Sequence, residues 1–249
     1  MRGLILAGGH GTRLHPITKV INKHLLMIYD KPMIFYPIMT LRDAGIKDIV
    51  LTLGDHDCER FYDLLGSGKK LGVNLTYHYH GEPKGIAYAI NSALDEMDTE
   101  QVVVHLGDNI FTKGITGLTA SVFKYDWNGV IIKEVSRKDA LRYGCIHYDP
   151  CKLTEYGWNP EFTEKEEIPR THILEGIMLG CYVFNVDDYK STFSKALPSV
   201  RGEYEITDIF SMLHQFGKDI IFHKYEDDWF DCGVFEDLYQ ASKWRRSCI

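Results

Sequence analysis

Residues Arg2-Gly-Leu-Ile-Leu-Ala-Gly-Gly-His-Gly-Thr-Arg-Leu14 restrict the fold of this chain more than any other stretch. A short apolar run ends abruptly in three glycines, a threonine and an arginine. The run reads as a buried strand, the kind that parallel sheets cover on both faces. Behind it comes a loop nearly free of side chains. Glycine lets backbone N–H groups approach anionic oxygens, and arginine adds fixed charge with forked donors, so the loop is suited to polyphosphate.

Two common phosphate loops are excluded. A P-loop needs Gly-x-x-x-x-Gly-Lys-Ser/Thr, but Gly8 is followed by Gly9 rather than lysine. The dinucleotide fingerprint Gly-x-Gly-x-x-Gly fails because Leu14 stands where its third glycine belongs. A tight turn that binds nothing would explain the glycines but not Thr12 and Arg13 behind them.

Strand-like runs recur at Gly3–Leu6, Asp48–Leu53, Asn74–Tyr79 and Gln101–Leu106, with helical patterns between them. The helices are expected over Pro32–Ala44, with a kink at Pro37, and over residues 55–65, stopping at Gly66. A third, Ile86–Leu94, sets Ile86, Ala89, Ile90, Ala93 and Leu94 on one face. This β-α-β-α series predicts an α/β fold with a Rossmann-like, doubly wound mixed sheet. Later strands are expected at Gly129–Val135 and Gly144–Tyr148, with a pair over Ile173–Phe184 interrupted by Gly176 and Gly180. Residues 150–171 are charged and aromatic without periodicity, and read as an inserted β-rich lid. Helices Tyr204–Phe216 and Phe235–Arg245 come last. The expected organisation is one domain over 1–249. Within it, residues 1–114 are expected to form a core, roughly 129–185 a lid part, and 186–249 to complete the core.

Bulk properties remove several classes. A net charge of −7, from 28 basic and 35 acidic residues, argues against a nucleic-acid surface. The apolar stretches are strand-sized, so no membrane span is expected, and the N-terminus enters a strand with no signal-peptide pattern. Six scattered cysteines without Cys-x-x-Cys read as reduced thiols in a cytoplasmic protein. His78 and His80 form a His-x-His pair with no third ligand nearby, and a metal site there is the weaker reading.

Ligands of doubly wound sheets bind beyond the carboxyl ends of the strands. Two loops qualify, the glycine loop and Leu106-Gly-Asp-Asn109, which sets Asp108 where polyphosphate would lie. A carboxylate on phosphate is repulsive unless a divalent cation lies between them, and Mg²⁺ suits such a site. Lys23, Thr163-Glu-Lys165, the segment Arg201–Asp208 and Trp229-Phe-Asp-Cys-Gly233 are further candidates. Asp231 stands out among them, in a small polar loop after an apolar strand.

These segments together resemble the sugar-1-phosphate nucleotidylyltransferases, most closely the glucose-1-phosphate thymidylyltransferase branch in a short form. The matching text is Leu-Ala-Gly-Gly-x-Gly-Thr-Arg-Leu at 6–14, Lys-His-Leu-Leu at 23–26 and Tyr-Asp-Lys-Pro-Met-Ile at 29–34. It continues with Leu-Gly-Asp-Asn-Ile-Phe at 106–111, Arg-Tyr-Gly at 142–144, Arg-Gly-Glu-x-Glu-Ile-Thr-Asp at 201–208 and Trp-x-Asp-x-Gly at 229–233. The resemblance implies attack of a sugar-1-phosphate oxygen on the α-phosphorus of a nucleoside triphosphate, with pyrophosphate leaving. It implies that Arg13 holds the β- and γ-phosphates, Lys23 the α-phosphate and Lys165 the sugar phosphate. Asp108 and Asp231 would bind Mg²⁺. Leu6, Gly8, Gly9, Gly11, Thr12, Arg13, His80, Gly85 and Asp108 would line the nucleotide pocket. Asn109, Tyr143, Gly144, Glu164, Lys165 and Gly180 would form the sugar side. Family members are homo-oligomers, so a dimer or tetramer is expected.

The departures bear on specificity. His80 stands where the thymidylyltransferases carry a base-reading glutamine; an amide offers donor and acceptor together, whereas an imidazole offers them in different directions. The lid reads Thr163-Glu-Lys-Glu166 in place of Glu-Glu-Lys-Pro, and Met178-Leu-Gly180 in place of a Val-Thr-Gly-like segment. The same chemistry with UTP, CTP or another sugar phosphate stays open, as does a non-catalytic sugar-nucleotide-binding subunit. The chain also ends soon after the helix that follows Asp231. Longer relatives add C-terminal helices to a regulatory nucleotide site, so control by that route is not expected here.

Overall fold

The computed structural model describes residues 1–54, 57–79, 81, 84–152, 159–165 and 168–249, with Phe123 described by its backbone alone. The sequence reading of His80 lies outside the described residues, as does that of Glu166.

The first half alternates as its periodicity dictates. Strand β1 (Arg2–Leu6) leads through a short hairpin, β2 (Met27–Ile28) and β3 (Lys31–Pro32), into helix α1 (Phe35–Asp43). Next come β4 (Asp48–Leu53), α2 (Cys58–Leu65), β5 (Asn74–Tyr79), α3 (Ile86–Leu94), β6 (Gln101–Leu106) and β7 (Asn109–Phe111). The second half holds α4 (Thr116–Tyr125), β8 (Asn128–Lys133), α5 (Arg137–Ala140), β9 (Gly144–Tyr148) and β10 (Glu161–Glu164). It closes with β11 (Ile173–Asn185), α6 (Val186–Phe193), α7 (Ile206–Gln215), β12 (Ile220–Lys224), β13 (Trp229–Asp231) and α8 (Phe235–Ser247).

Among the described residues nine strands form one mixed sheet. Strands β5, β4, β1 and β6 lie side by side and parallel. From β1 the chain builds outward to β4 and β5, then returns to place β6 on the other side. That reversal opens a crevice between the carboxyl ends of β1 and β6. β11 adds antiparallel to β6, and β8 carries the parallel edge strand β12.

Alternation along β1 explains the two-sided covering. Ile5 and Ala7 face a core shared with Ile38 and Leu41 of α1, Phe61 of α2 and Leu118 of α4. Leu4 and Leu6 face the opposite core, built from Ile90 and Leu94 of α3, Tyr189 of α6 and Phe210 of α7. Each fully buried Leu or Ile side chain contributes roughly 1.5–3 kcal/mol. α8 caps a third cluster, in which Ala241 packs with Ile28, Met33, Tyr36 and Ile110.

Two expectations are corrected. Pro32 does not open a helix: it pairs with Met27 in the β2–β3 hairpin, and α1 begins at Phe35. Pro37 is therefore in the first turn, where a backbone N–H has no intrahelical partner, and its predicted kink loses its cause. The second correction concerns residues 173–184, which form one thirteen-residue strand, Ile173–Asn185, rather than an interrupted pair. A Cβ at Gly176 would come 2.8 Å from the Lys133 carbonyl oxygen, and one at Gly180 2.6 Å from the Asn109 amide carbon. The strand runs on through both glycines, but its pairing slips at each, between Leu174 and Gly176 against β9 and between Met178 and Tyr182 against β8.

Candidate active site

The loops after β1 and β6 meet as the topology requires. The Gly107 N–H donates to the Leu6 carbonyl at 2.9 Å. A Cβ on Gly107 would lie 2.7 Å from His24 Cδ2, so the 22–25 turn is seated on this glycine. The Asn22 side chain caps that turn by accepting from the His24 N–H at 3.0 Å, and lies 2.8 Å from His24 Nδ1. Lys23 is thereby aimed along the glycine loop. Its stem passes Gly11, where an added Cβ would be 3.1 Å from Lys23 Cβ, and its Nζ donates to Asp108 Oδ2.

Asp108 is buried and held from a second side by Asn109, whose Nδ2 donates to Asp108 Oδ1 at 2.9 Å. Asn109 Oδ1 accepts from Trp229 Nε1 at 2.7 Å and from the Gly180 N–H at 3.2 Å. This buried amide orients Asp108 and ties β7, β11 and β13 together. Asp231 pairs with Asn109 across β13 and β7, and the Cys232 N–H donates to the Asp108 carbonyl at 2.9 Å. The two acidic residues thus sit on neighbouring backbone segments. Arg13 completes the group: its guanidinium lies against Gly233, where a Cβ would approach Nη2 to 2.6 Å.

Burial opposes ionisation of both carboxyl groups, yet they respond differently. At Asp108 burial is the largest single influence and opposes the charge, but Lys23, His24 and Asn109 together outweigh it and hold the group below the usual carboxylate range. At Asp231 burial and then the Asp108 charge push the pKa up to about 6, despite Lys23 and Arg13. Asp231 is therefore short of positive charge. His24 is pushed down to about 3, by burial first and by Lys23 second, and stays neutral.

Two clefts converge here. One of about 250 Å³ lies among Leu6, Gly8, Gly9, Lys23, Gly85 and Ile86. The other, of about 630 Å³, is bordered by Arg13, Tyr143, Gly144, Lys165, Trp229 and Asp231. Ile86, Leu106, Asp108 and Glu203 border both, so Asp108 stands on the seam. Thr12, Asn109, Glu164 and Gly180 also line the larger cleft. Gly11 serves differently, making room for Lys23 and accepting from Thr18 Oγ1 at 2.8 Å.

The far wall comes from the β9–β10 hairpin. Gly144 pairs with Glu164, and a Cβ there would lie 2.7 Å from Thr207 Cγ2. Glu164 pairs with Lys165 at 2.9 Å and with Arg201 at 3.5 Å. Lys165 has φ 53, a left-handed conformation uncommon for lysine, and its N–H donates to the Tyr143 carbonyl at 3.2 Å. Gly85, at φ 99, lets α3 start against the Tyr204 backbone, which a Cβ would meet at 2.6 Å. Arg142, Arg201, Glu203 and Trp229 border the larger cleft without individual assignment from sequence. Their signal was present, since all four stand inside the motifs that carry the family resemblance.

The family profile described as nucleotidyl transferase matches residues 2–246. The chain belongs to this family. A glucose-1-phosphate thymidylyltransferase of Mycolicibacterium smegmatis is 36% identical over 99% of this chain and 83% of its own length. One from Mycobacterium tuberculosis is 37% identical with the same two coverages. A Bacillus anthracis structure described as a glucose-1-phosphate thymidylyltransferase, in complex with a sucrose, superposes with TM-score 0.84. It is 32% identical and covers 99% of this chain and 95% of its own. A UDP-glucose pyrophosphorylase bound to UDP-glucose, 24% identical, shares the fold at TM-score 0.82 over 100% of this chain and 99% of its own. The chain is a nucleotidyltransferase enzyme of mixed α/β fold. Among the described residues no helix is long and apolar enough to cross a membrane.

Proposed function

We propose that this chain transfers a nucleotidyl group from a nucleoside triphosphate, dTTP foremost, to a sugar 1-phosphate, glucose 1-phosphate foremost, releasing pyrophosphate. The observation that carries the reading is the seam: two clefts meet at Asp108 with Lys23, Arg13 and Asp231 around it. Two anions must be brought together in line, so orientation and positive charge are what the protein has to supply. The smaller cleft takes the nucleoside, with Gly85 and Ile86 against it, and the glycine loop leads the phosphates toward Lys23. Arg13 faces the leaving pyrophosphate, and Lys165 orients the incoming sugar phosphate in the larger cleft.

The donor set fits Mg²⁺. Asp108 and Asp231 are hard oxygen donors, and Asp231 lacks the positive charge that its burial calls for. Bound there, Mg²⁺ would neutralise charge on the phosphates and fix their geometry.

Pyrophosphate release with Mg²⁺ across a panel of triphosphates and sugar 1-phosphates tests the proposal. Turnover is expected to be best with dTTP and glucose 1-phosphate. No turnover with any pair would sink it, and a preference for UTP or CTP would overturn the base assignment. The UTP reading draws its support from His80 at the glutamine position. If His80 reads the base, His80→Gln shifts preference toward thymine; an unchanged preference removes it from that role.

A further inference from the structure

A second cluster of ligating side chains lies at the outer end of the hairpin whose inner end carries Glu164. In the β9–β10 register His147 pairs with Glu161, three rungs from the Gly144–Glu164 pair. His172 immediately precedes β11, beside Leu174, which pairs with His147 on its other edge. His147 and His172 are both buried, with their Nδ1 atoms 2.9 Å apart. Glu161 Oε2 is 3.6 Å from His172 Nδ1, and one ligand atom from each residue falls within 4.8 Å of the other two.

We propose that His147, His172 and Glu161 form a second divalent-metal site, suited to Zn²⁺, that pins the β9–β10 hairpin to the start of β11. A tetrahedral ion with bonds of about 2.0–2.1 Å spaces its ligand atoms roughly 3.4 Å apart. The 2.9 Å and 3.6 Å separations bracket that value, so shifts of a few tenths of an ångström accommodate the ion. Imidazole nitrogens favour Zn²⁺ over Mg²⁺, which separates this site chemically from the Asp108–Asp231 pair. Asp149 adds negative charge nearby: its Oδ2 lies 4.0 Å from His172 Nε2, beyond hydrogen-bond distance. Glu161 is partly exposed and offers the ion a path from solvent.

With the two Nδ1 atoms bonded only to each other, one imidazole donates and the other accepts. His147 Nε2 is buried and has no partner among the described residues, so the pair alone leaves a polar atom unsatisfied. A bound ion would use both Nδ1 lone pairs in place of the single bond between them, while His147 Nε2 would carry its proton and stay unpartnered.

The test uses the full, metal-stripped chain dialysed against Zn²⁺ in excess Mg²⁺, with Co²⁺ as a spectroscopic substitute. The expected result is a single tightly bound Zn²⁺ per chain and the visible bands of four-coordinate Co²⁺. Asp108→Asn combined with Asp231→Asn should keep that ion, and His172→Gln should lose it. Glu161→Gln, at a partly exposed position that leaves the fold intact, should weaken Zn²⁺ binding at least about tenfold. The proposal is overturned if the wild-type chain binds no Zn²⁺ above the Mg²⁺ background. It is equally overturned if Glu161→Gln binds as wild type, or if the bound Zn²⁺ vanishes with Asp108 and Asp231.

Discussion

Replacing Gly233 by alanine isolates the work of Arg13 without touching Arg13 itself. The added Cβ would lie 2.6 Å from Arg13 Nη2 and 3.3 Å from Cζ, where ordinary contacts begin near 3.4 Å. Gly233 is outside the left-handed backbone region, so alanine brings no φ strain. The clash is with the end of a flexible side chain, which can retreat by about 1 Å. Stability should change little, since alanine also restricts the unfolded chain by about 0.4–1 kcal/mol in the opposite direction. Catalysis should suffer far more, because a 1 Å misplacement in a pre-oriented site costs about a hundredfold. That corresponds to about 2.7 kcal/mol of transition-state stabilisation. Steady-state pyrophosphate release from Gly233→Ala, Arg13→Ala and the double variant reads the effect. The double variant is expected to be no slower than Arg13→Ala alone. The same Cβ lies 3.3 Å from Asp231 Oδ1, so a loss acting through Asp231 would persist in the Arg13→Ala background. Full activity in Gly233→Ala, or losses that multiply in the double variant, would refute the reasoning.

Asp108→Asn and Asp231→Asn should each remove most Mg²⁺-dependent turnover while unfolding remains cooperative; near-normal turnover in either would release that residue from metal binding. Without metal, Asp231 costs the fold stability as pH rises, because its carboxyl has a pKa of about 6 when folded and about 4 when unfolded. The penalty is absent below pH 4 and grows to about 3 kcal/mol above pH 6. Urea unfolding in EDTA should therefore find Asp231→Asn more stable than wild type at pH 7.5 and equal to it at pH 4; an equal gain at both would discount the charge. Gly85→Ala combines a positive φ with backbone contact at 2.6 Å and should cost about 2–4 kcal/mol. An unchanged urea midpoint would mean that the Tyr204 backbone yields.

The parallel half of the sheet was legible because β1, β4, β5 and β6 are apolar or β-branched runs closed by glycine or polar turns, and Asp48–Leu53, Asn74–Tyr79 and Gln101–Leu106 begin and end as read. What escaped depended on distant partners. Pro32 resembles a helix start until Met27 pairs with it. Gly180 resembles a strand break until the Asn109 amide occupies the space beside it. α6 is short and polar on average, with only Val186, Tyr189 and Thr192 buried, and β12 is a half-exposed strand that relies on β8 for its pairing. In the site, the residue types of the glycine loop, Asp108 and Asp231 pointed to phosphate chemistry. The use of Asn109 to steer Asp108 rests on three bonds reaching Trp229 and Gly180, which no local spacing reveals.

β11 also sets what can be exchanged in this protein. One of its edges is shared between β9 and β6, while β8 runs along the other. The sugar-side hairpin and the nucleotide-side strands are therefore mounted on a single rail. Transplanting the 144–165 hairpin from a relative with another sugar preference leaves that rail, and the spacing between the two substrates, unchanged. Adding one residue between Gly176 and Gly180 does the opposite. It changes the register through a stretch whose pairing already slips and puts a side chain where the Gly180 backbone meets the amide that steers Asp108. Selectivity is thus free to change by swapping cassettes across the rail, whereas its length is held fixed by the chemistry at its centre.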